Sequence, residues 1–250
     1  MDLDEPKPNT GAGGRAWFAT THWSVVLAAA KTSAPGAQEA LEALCRAYWP
    51  PIFTYVRRRG HPLEEAQDLV QEFFARFLQK KYFAQADPTR GRFRNFLLTA
   101  IQHFLVGEWQ KSASLKRGGG QFLISWEELR MEPEAETEPA DFETPESAYE
   151  RQWAVTLLEH ACQLLGEEYA AAGKQPLFDH LKGFVWGGRS ELPYAQVGEQ
   201  LGMSEGAVKV AVHRLRQRYG QLLRQEVAQT VAHPEEVDEE LRYLVSVMSG

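Results

Sequence analysis

The sequence predicts an all-α protein made of two helical modules that are joined by an acidic, flexible linker. Three observations lead to this fold class. Apolar residues recur at intervals of three and four along most of the chain, which is the period of an amphipathic helix. No segment alternates apolar and polar residues as a half-buried strand does, and no Asn-Gly hairpin signal occurs. Residues 127–148 contain three prolines and lack apolar periodicity, which indicates a linker between the helical stretches.

The composition indicates an ordinary globular protein, with 44% hydrophobic and 24% charged residues. No apolar run approaches the roughly 20 residues that span a bilayer. The N-terminus also lacks the basic-then-apolar layout of a secretory signal. Cys45 and Cys162 lie far apart in predicted helices, so we expect free thiols. We therefore expect a cytoplasmic protein with no membrane insertion.

The net charge of −7 is unevenly distributed along the chain. Residues 126–150 contain ten acids and one arginine, a charge of −9, and residues 235–250 contain five acids and one arginine, a charge of −4. The rest of the chain therefore carries +6. Since the acidity is confined to a linker and a tail, the overall charge does not exclude a nucleic-acid partner.

The first module is predicted to span residues 17–125, after a disordered leader at 1–16. Its first main helix runs from Pro35 to Gly60, and Pro50 and Pro51 should kink or divide it. Residues 62–81 have the clearest helical periodicity in the chain, and residues 92–111 form the next helix after a loop at 86–91. The apolar stripe of the 62–81 helix consists of Leu63, Ala66, Leu69, Val70, Phe73, Phe74, Phe77 and Leu78.

The second module is predicted to span residues 147–231, beyond an acidic linker at 126–146. Helices are expected at about 147–169, 175–186, 194–201 and 204–231. The acidic C-terminal tail at 232–250 has no predicted place in either module, although Leu241, Leu244 and Val245 beside acids leave open a regulatory helix.

Residues 193–219 have the layout of a helix-turn-helix. Val197 and Leu201 give the first short helix an inward face. Gly202 provides the turn, where a positive φ is expected. Ser204 is placed to cap the second helix. The inward stripe of that second helix is predicted to be Val208, Val212, Leu215, Tyr219 and Leu222.

The opposite face of the second helix carries polar and basic residues that suit a DNA groove. Its N-terminal part can reach base edges, and its basic residues can pair with phosphates. An amphipathic surface helix with solvated arginines is the alternative interpretation. The predicted DNA-binding residues of this module are Ser204, Glu205, Lys209, His213, Arg214, Arg216 and Arg218.

The run from Leu201 to Lys209, with the following His213-Arg-Leu-Arg216, resembles the region-4 helix-turn-helix of sigma factors of the extracytoplasmic-function (ECF) group. In that family this domain reads the −35 promoter element and contacts the β flap of RNA polymerase. The resemblance therefore implies promoter DNA and core polymerase as partners.

The first module resembles region 2 of the same family. Ala66–Phe74 is similar to the segment with which ECF factors bind the β′ clamp helices, and this implies a polymerase-binding role for Asp68, Gln71 and Glu72. Asp68 and Glu72 lie one helical turn apart, so their carboxylates can share a face. A solvated polar face of a core helix is the alternative.

Residues 91–105 resemble the family's following helix, which engages the −10 element. Phe93 and Phe96 are expected in the core because of their spacing. The sequence departs from the family pattern at Gln102, His103 and Gly107, so individual −10 contacts do not carry over. The predicted DNA-binding residues of this module are Arg92, Arg94, Lys111, Lys116 and Arg117.

These features together predict a sigma factor that directs core RNA polymerase to promoters and assists DNA melting. We expect no enzymatic activity, catalytic residue, cofactor or metal, because the seven histidines are scattered and no His-Glu-x-x-His pair occurs. An anti-sigma protein is a further candidate partner. The competing hypothesis is a conventional helix-turn-helix regulator that does not bind core polymerase.

Overall fold

The computed structural model describes Trp23, Val26 and residues 37–80, 82–116, 143–185 and 193–249. These residues form helices and no strand, which confirms the all-α prediction. The predicted leader at 1–16 and most of the linker lie outside the described residues. The α-helices with described bounds are α1 (Ala37–Arg58), α2 (Leu63–Gln79), α3 (Phe93–Lys116), α4 (Pro145–Ala171), α5 (Gln175–Leu181), α6 (Tyr194–Leu201), α7 (Glu205–Thr230) and α8 (Val237–Ser249).

Helix α1 continues through Pro50 and Pro51, so of the two predicted outcomes, a kink or a division, these prolines do not divide the helix. A proline inside a helix removes a backbone hydrogen bond. Here both sides of the interruption are held in the core, since Tyr48, Ile52 and Val56 are each at most 1% exposed. Tertiary burial of the helix on both sides therefore compensates for the missing bonds.

Helices α2 and α3 bring the phenylalanines of the first module together. Phe77 lies edge-on to Phe83, with ring centroids 4.5 Å apart, and Phe73 packs against Phe104 at 5.6 Å. Phe93 is 1% exposed, as its spacing predicted, whereas Phe96 is only partly buried. This aromatic cluster fixes α2 and α3 as one unit beside α1.

Helix α4 is shared by two hydrophobic cores. Its first half places Tyr149 and Trp153 in the core of α1–α3, and its second half places Ala161 and Leu165 in a second core. The first half of α4 therefore packs with the first module, although the predicted second module begins at residue 147. A helix of 27 residues is about 40 Å long, which is enough to serve both cores.

The second core is built from the end of α4 and from α5, α6 and α7. Phe178 and Leu181 of α5 and Val197 of α6 pack against the inward stripe of α7. All the residues predicted for that stripe are buried: Val208, Val212, Leu215, Tyr219 and Leu222.

The C-terminal segment folds as α8 and belongs to the packed structure. Val237 is 5% exposed and Leu244 is 3% exposed, and both join the core that contains the first module. Helix α8 packs against α4 and α7. The sequence analysis gave residues 232–250 no place in either module and left open a regulatory helix; the structure shows a packed helix here.

Candidate nucleic-acid interface

The turn between α6 and α7 has the geometry that the sequence predicted. Gly202 ends α6 in the left-handed region, with φ 64°. The Ser204 hydroxyl accepts a hydrogen bond from the Ala207 amide at 3.2 Å, which caps α7. Gly198 was not singled out from the sequence, yet a Cβ at this position would lie 2.6 Å from the Met203 carbonyl oxygen. The turn can therefore close only because residue 198 has no side chain.

The N-terminal part of α7 presents a solvent-exposed face. Glu205, Lys209 and His213 are all exposed on it. The ammonium group of Lys209 lies 2.6 Å from the Glu205 carboxylate, one turn earlier. Val210 is 50% exposed beside them, although it is apolar. A protruding helix end of this kind has the shape and polarity that a major groove accepts.

The arginines of α7 are not equivalent in the structure. Arg216 donates from Nε to the Phe184 carbonyl at 2.8 Å, and Arg218 pairs with Glu168 of α4 at 2.5 and 2.8 Å. These contacts tie α7 to the rest of its module. Arg214 is exposed on the same helix. Of the predicted phosphate-binding arginines, Arg214 is therefore better placed for DNA than Arg216 or Arg218.

The polar face of α2 is open to solvent. Asp68, Gln71 and Glu72 are all exposed, and they share this face as predicted. Glu72 accepts a hydrogen bond from Arg76 Nε at 2.5 Å. Trp49 of α1 is 37% exposed and stacks on Phe74 of α2 at 5.8 Å. An exposed tryptophan is a frequent feature of protein interfaces, and the sequence analysis did not single it out.

A cleft of about 440 Å³ opens between α2 and α3. It is lined by the aromatic rings of Phe73, Phe77, Phe96, Phe104 and Tyr82 and by the side chains of Arg76, Lys80, His103 and Lys111. The Arg76 guanidinium lies 5.2 Å from the Phe104 ring centroid. The sequence analysis assigned these phenylalanines to core packing and did not find the cleft. The same aromatic residues both pack in the core and line the cleft, and the sequence pattern indicates only the packing.

The carboxylate of Glu108 binds two basic side chains of the cleft. It accepts hydrogen bonds from Lys111 at 2.9 Å and from Arg76. These hydrogen bonds hold the pKa of Glu108 below its usual value, the one from Lys111 most strongly. The side chain of Lys111 itself remains 60% exposed. The side chain of Lys116 and the whole of Arg117 lie outside the described residues.

Arg92 and Arg94, which the sequence predicted at the DNA surface, are instead engaged inside the protein. Arg92 pairs with Glu236 and, at 3.1 Å, with Glu240. Arg94 is 6% exposed and pairs with Glu240 and, at 2.9 Å, with Glu150. The structure therefore does not bring these arginines together with Lys111 on an open face, because the C-terminal helix covers them.

In a comparison with known protein families, residues 44–114 match the family model described as Sigma-70 region 2. The matched segment includes most of α1, all of α2 and nearly all of α3, and so contains both the α2 face and the aromatic cleft. Comparison with curated proteins and with solved structures gave no match. Among the described helices, none is both long and apolar enough to cross a membrane. The first module is thus of sigma-70 region 2 type, which supports a sigma-70 family factor.

Proposed function

We propose that this protein is a sigma factor of the ECF group, which directs core RNA polymerase to promoters and assists the melting of promoter DNA. The observation that carries the proposal is the sigma-70 region 2 match over residues 44–114, which coincides with an exposed carboxylate face and an aromatic cleft. The protein has no catalytic activity or cofactor of its own in this proposal, since polymerase performs the nucleotide chemistry. Its place of action is the cytoplasm.

The α2 face docks on the β′ clamp helices of core polymerase. Asp68 and Glu72 supply negative charge, and Gln71 supplies hydrogen bonds to a basic partner surface. We place the exposed Trp49 in the same interface, because tryptophan is among the residues that contribute most to binding energy. The pair between Arg76 and Glu72 holds one carboxylate in position.

The aromatic cleft receives the separated non-template strand at the −10 region. Single-stranded nucleic acids bind where bases stack on aromatic rings and the backbone meets positive charge. The cleft between α2 and α3 combines both features, with Lys80 and Lys111 at its rim. Stacking on rings contributes about 1–3 kcal/mol per base, so even one inserted base would favour the open strand.

The α6–α7 unit acts as a helix-turn-helix on the −35 element. Glu205, Lys209 and His213 lie on the exposed face that would enter the major groove, and Arg214 is available to a phosphate. Arg216 and Arg218 contribute indirectly, because their contacts with the Phe184 carbonyl and the Glu168 carboxylate hold α7 in position. The β flap and an anti-sigma protein are further proposed partners of this sigma factor.

Binding to sigma-free core polymerase tests the proposal directly. Asp68→Arg reverses the charge at the centre of the α2 face, and Glu39→Arg makes the same change at an exposed site in the first turn of α1. We expect tight binding by the wild type and by Glu39→Arg, and a loss of at least tenfold for Asp68→Arg, since misplaced like charge costs several kcal/mol. Equal tight binding by all three proteins would rule out the α2 face as the docking site, and binding by none of them would overturn the proposed sigma function. Binding to duplex DNA without any binding to core would instead favour a conventional regulator.

A further inference from the structure

The C-terminal helix α8 places its carboxylates on arginines of the region 2 module. Glu236, just before α8, and Glu240, in its first turn, both pair with Arg92. Glu240 also pairs with Arg94, so one carboxylate links both guanidinium groups. Glu240 is only 3% exposed, which means that this helix buries a full negative charge in order to make these contacts.

Arg94 is enclosed on several sides by this arrangement. Its guanidinium lies 4.2 Å from the Trp153 ring centroid and 4.9 Å from that of Tyr243, which belongs to α8. Burial alone would lower the pKa of Arg94, but the carboxylates of Glu150 and Glu240 outweigh it and raise the pKa above its ordinary value. The group therefore stays charged while it is withdrawn from solvent.

Helix α8 is held to both modules at once. Leu244 and Val237 pack into the core that contains α1–α3. Asp238 pairs with Arg224 of α7 at 2.6 Å. The contacts to α4 and α7 mean that α8 can detach only if both sets of interactions open together.

We propose that α8 is an intramolecular latch whose carboxylates occupy the positions that DNA phosphates would take on Arg92 and, in part, on Arg94. Arginine recognises carboxylate and phosphate with the same forked pair of N–H donors, so the two anions compete for one site. Detachment of α8 returns the arginines to the nucleic-acid surface of region 2. This latch rests on the proposed DNA-binding function of that module.

The effect of the two paired carboxylates can be separated from a general change of net charge. Glu236→Gln/Glu240→Gln removes the two paired carboxylates, and Glu235→Gln/Glu239→Gln removes two exposed carboxylates from the same stretch of chain. Both variants change the net charge equally. Binding of each to a labelled 20-nucleotide oligothymidine is measured from about 50 to 200 mM salt.

We expect the paired-site variant to bind about tenfold more tightly at low salt, the change expected when charge-assisted contacts are gained. Its salt slope should steepen by about 0.7 for each arginine that reaches a phosphate. The control variant should stay close to the wild type. Equal affinity and slope for the two variants would overturn the latch.

A measurement on the wild-type chain keeps the test independent of how the variants fold. Because DNA and α8 compete for Arg92, bound oligothymidine must lower the amide-exchange protection of Val237–Ser249. Unchanged protection in the complex would refute the competition. If the latch fails while the wild type still binds core polymerase, the proposed function stands; if the wild type binds neither core nor oligothymidine, both fail.

Discussion

Replacement of Gly198 by alanine should selectively damage the turn between α6 and α7. The added Cβ would lie 2.6 Å from the Met203 carbonyl oxygen and 3.6 Å from a methyl group of Val208. The nearer contact is with backbone, and that backbone is held because the Met203 amide donates to the Gly198 carbonyl at 2.8 Å. The turn must therefore open, or α7 must shift, to admit one methyl group.

Two opposing effects determine how much Gly198→Ala lowers the free energy of unfolding. Overpacking at a rigid site costs about 1–3 kcal/mol, and the short backbone contact puts Gly198→Ala near the upper end. Alanine regains about 1 kcal/mol of helix propensity in α6. The net loss is about 2 kcal/mol, which lowers the thermal midpoint of a chain of this size by roughly 4–8 °C.

Gly206→Ala is the matched control for this substitution. A Cβ at Gly206, in the first turn of α7, meets no atom within 4 Å. The same change there should leave stability unchanged or raise it by up to about 1 kcal/mol. Thermal unfolding followed by circular dichroism compares the two variants with the wild type. Equal midpoints for Gly198→Ala and Gly206→Ala would refute the close-approach argument.

Three further predictions concern a helix cap, an ion pair and a thiol. Ser204→Ala removes the cap of α7 and should cost about 1 kcal/mol in urea unfolding, whereas Ser204→Asp should retain most of it. The guanidinium of Arg92 holds the pKa of Glu236 below its ordinary 4.5. The ionised carboxylate therefore stabilises the fold above pH 4.5, and this stabilisation is lost as the pH falls through the lowered pKa. The thermal midpoint of Glu236→Gln should consequently fall less steeply than that of the wild type between about pH 6 and pH 3. Burial raises the pKa of the Cys45 thiol to about 11, so alkylation at about pH 8 should be roughly a hundredfold slower than for an unfolded cysteine, and a fast reaction in native buffer would contradict this burial.

The second module could be predicted closely because its signals are local. The spacing of the apolar residues of α7 identified the buried stripe, and Gly202 and Ser204 identified the turn and the cap. Each of these depends on residues within a few positions of one another. Gly198 was missed because its importance depends on where the Met203 carbonyl lies after the turn has formed.

The roles of the arginines could not be predicted, because they depend on partners far away in sequence. Arg92 and Glu240 are 148 residues apart, and Arg218 and Glu168 are 50 apart. A basic residue on a predicted helix carries the same local pattern whether it faces solvent, DNA or a carboxylate. Only the tertiary packing of α4, α7 and α8 separates these cases.

The C-terminal segment shows how a charge pattern can hide a packed helix. Its five acids suggested a solvated tail, yet Val237, Leu241 and Leu244 recur at intervals of four and three, which is the period of a buried helical face. Two of its acids pair with basic residues of the two modules, Glu240 with Arg92 and Asp238 with Arg224. Helices α4 and α7 both run through the two cores, since α7 places Val208 in the second core and Val227 in the first, so α8 is a further connection between them. The ion pairs of α8 with Arg92 respond to competing anions, whereas its apolar packing and that of α4 do not, so a polyanion such as DNA should weaken the hold of α8 and leave α4 in place.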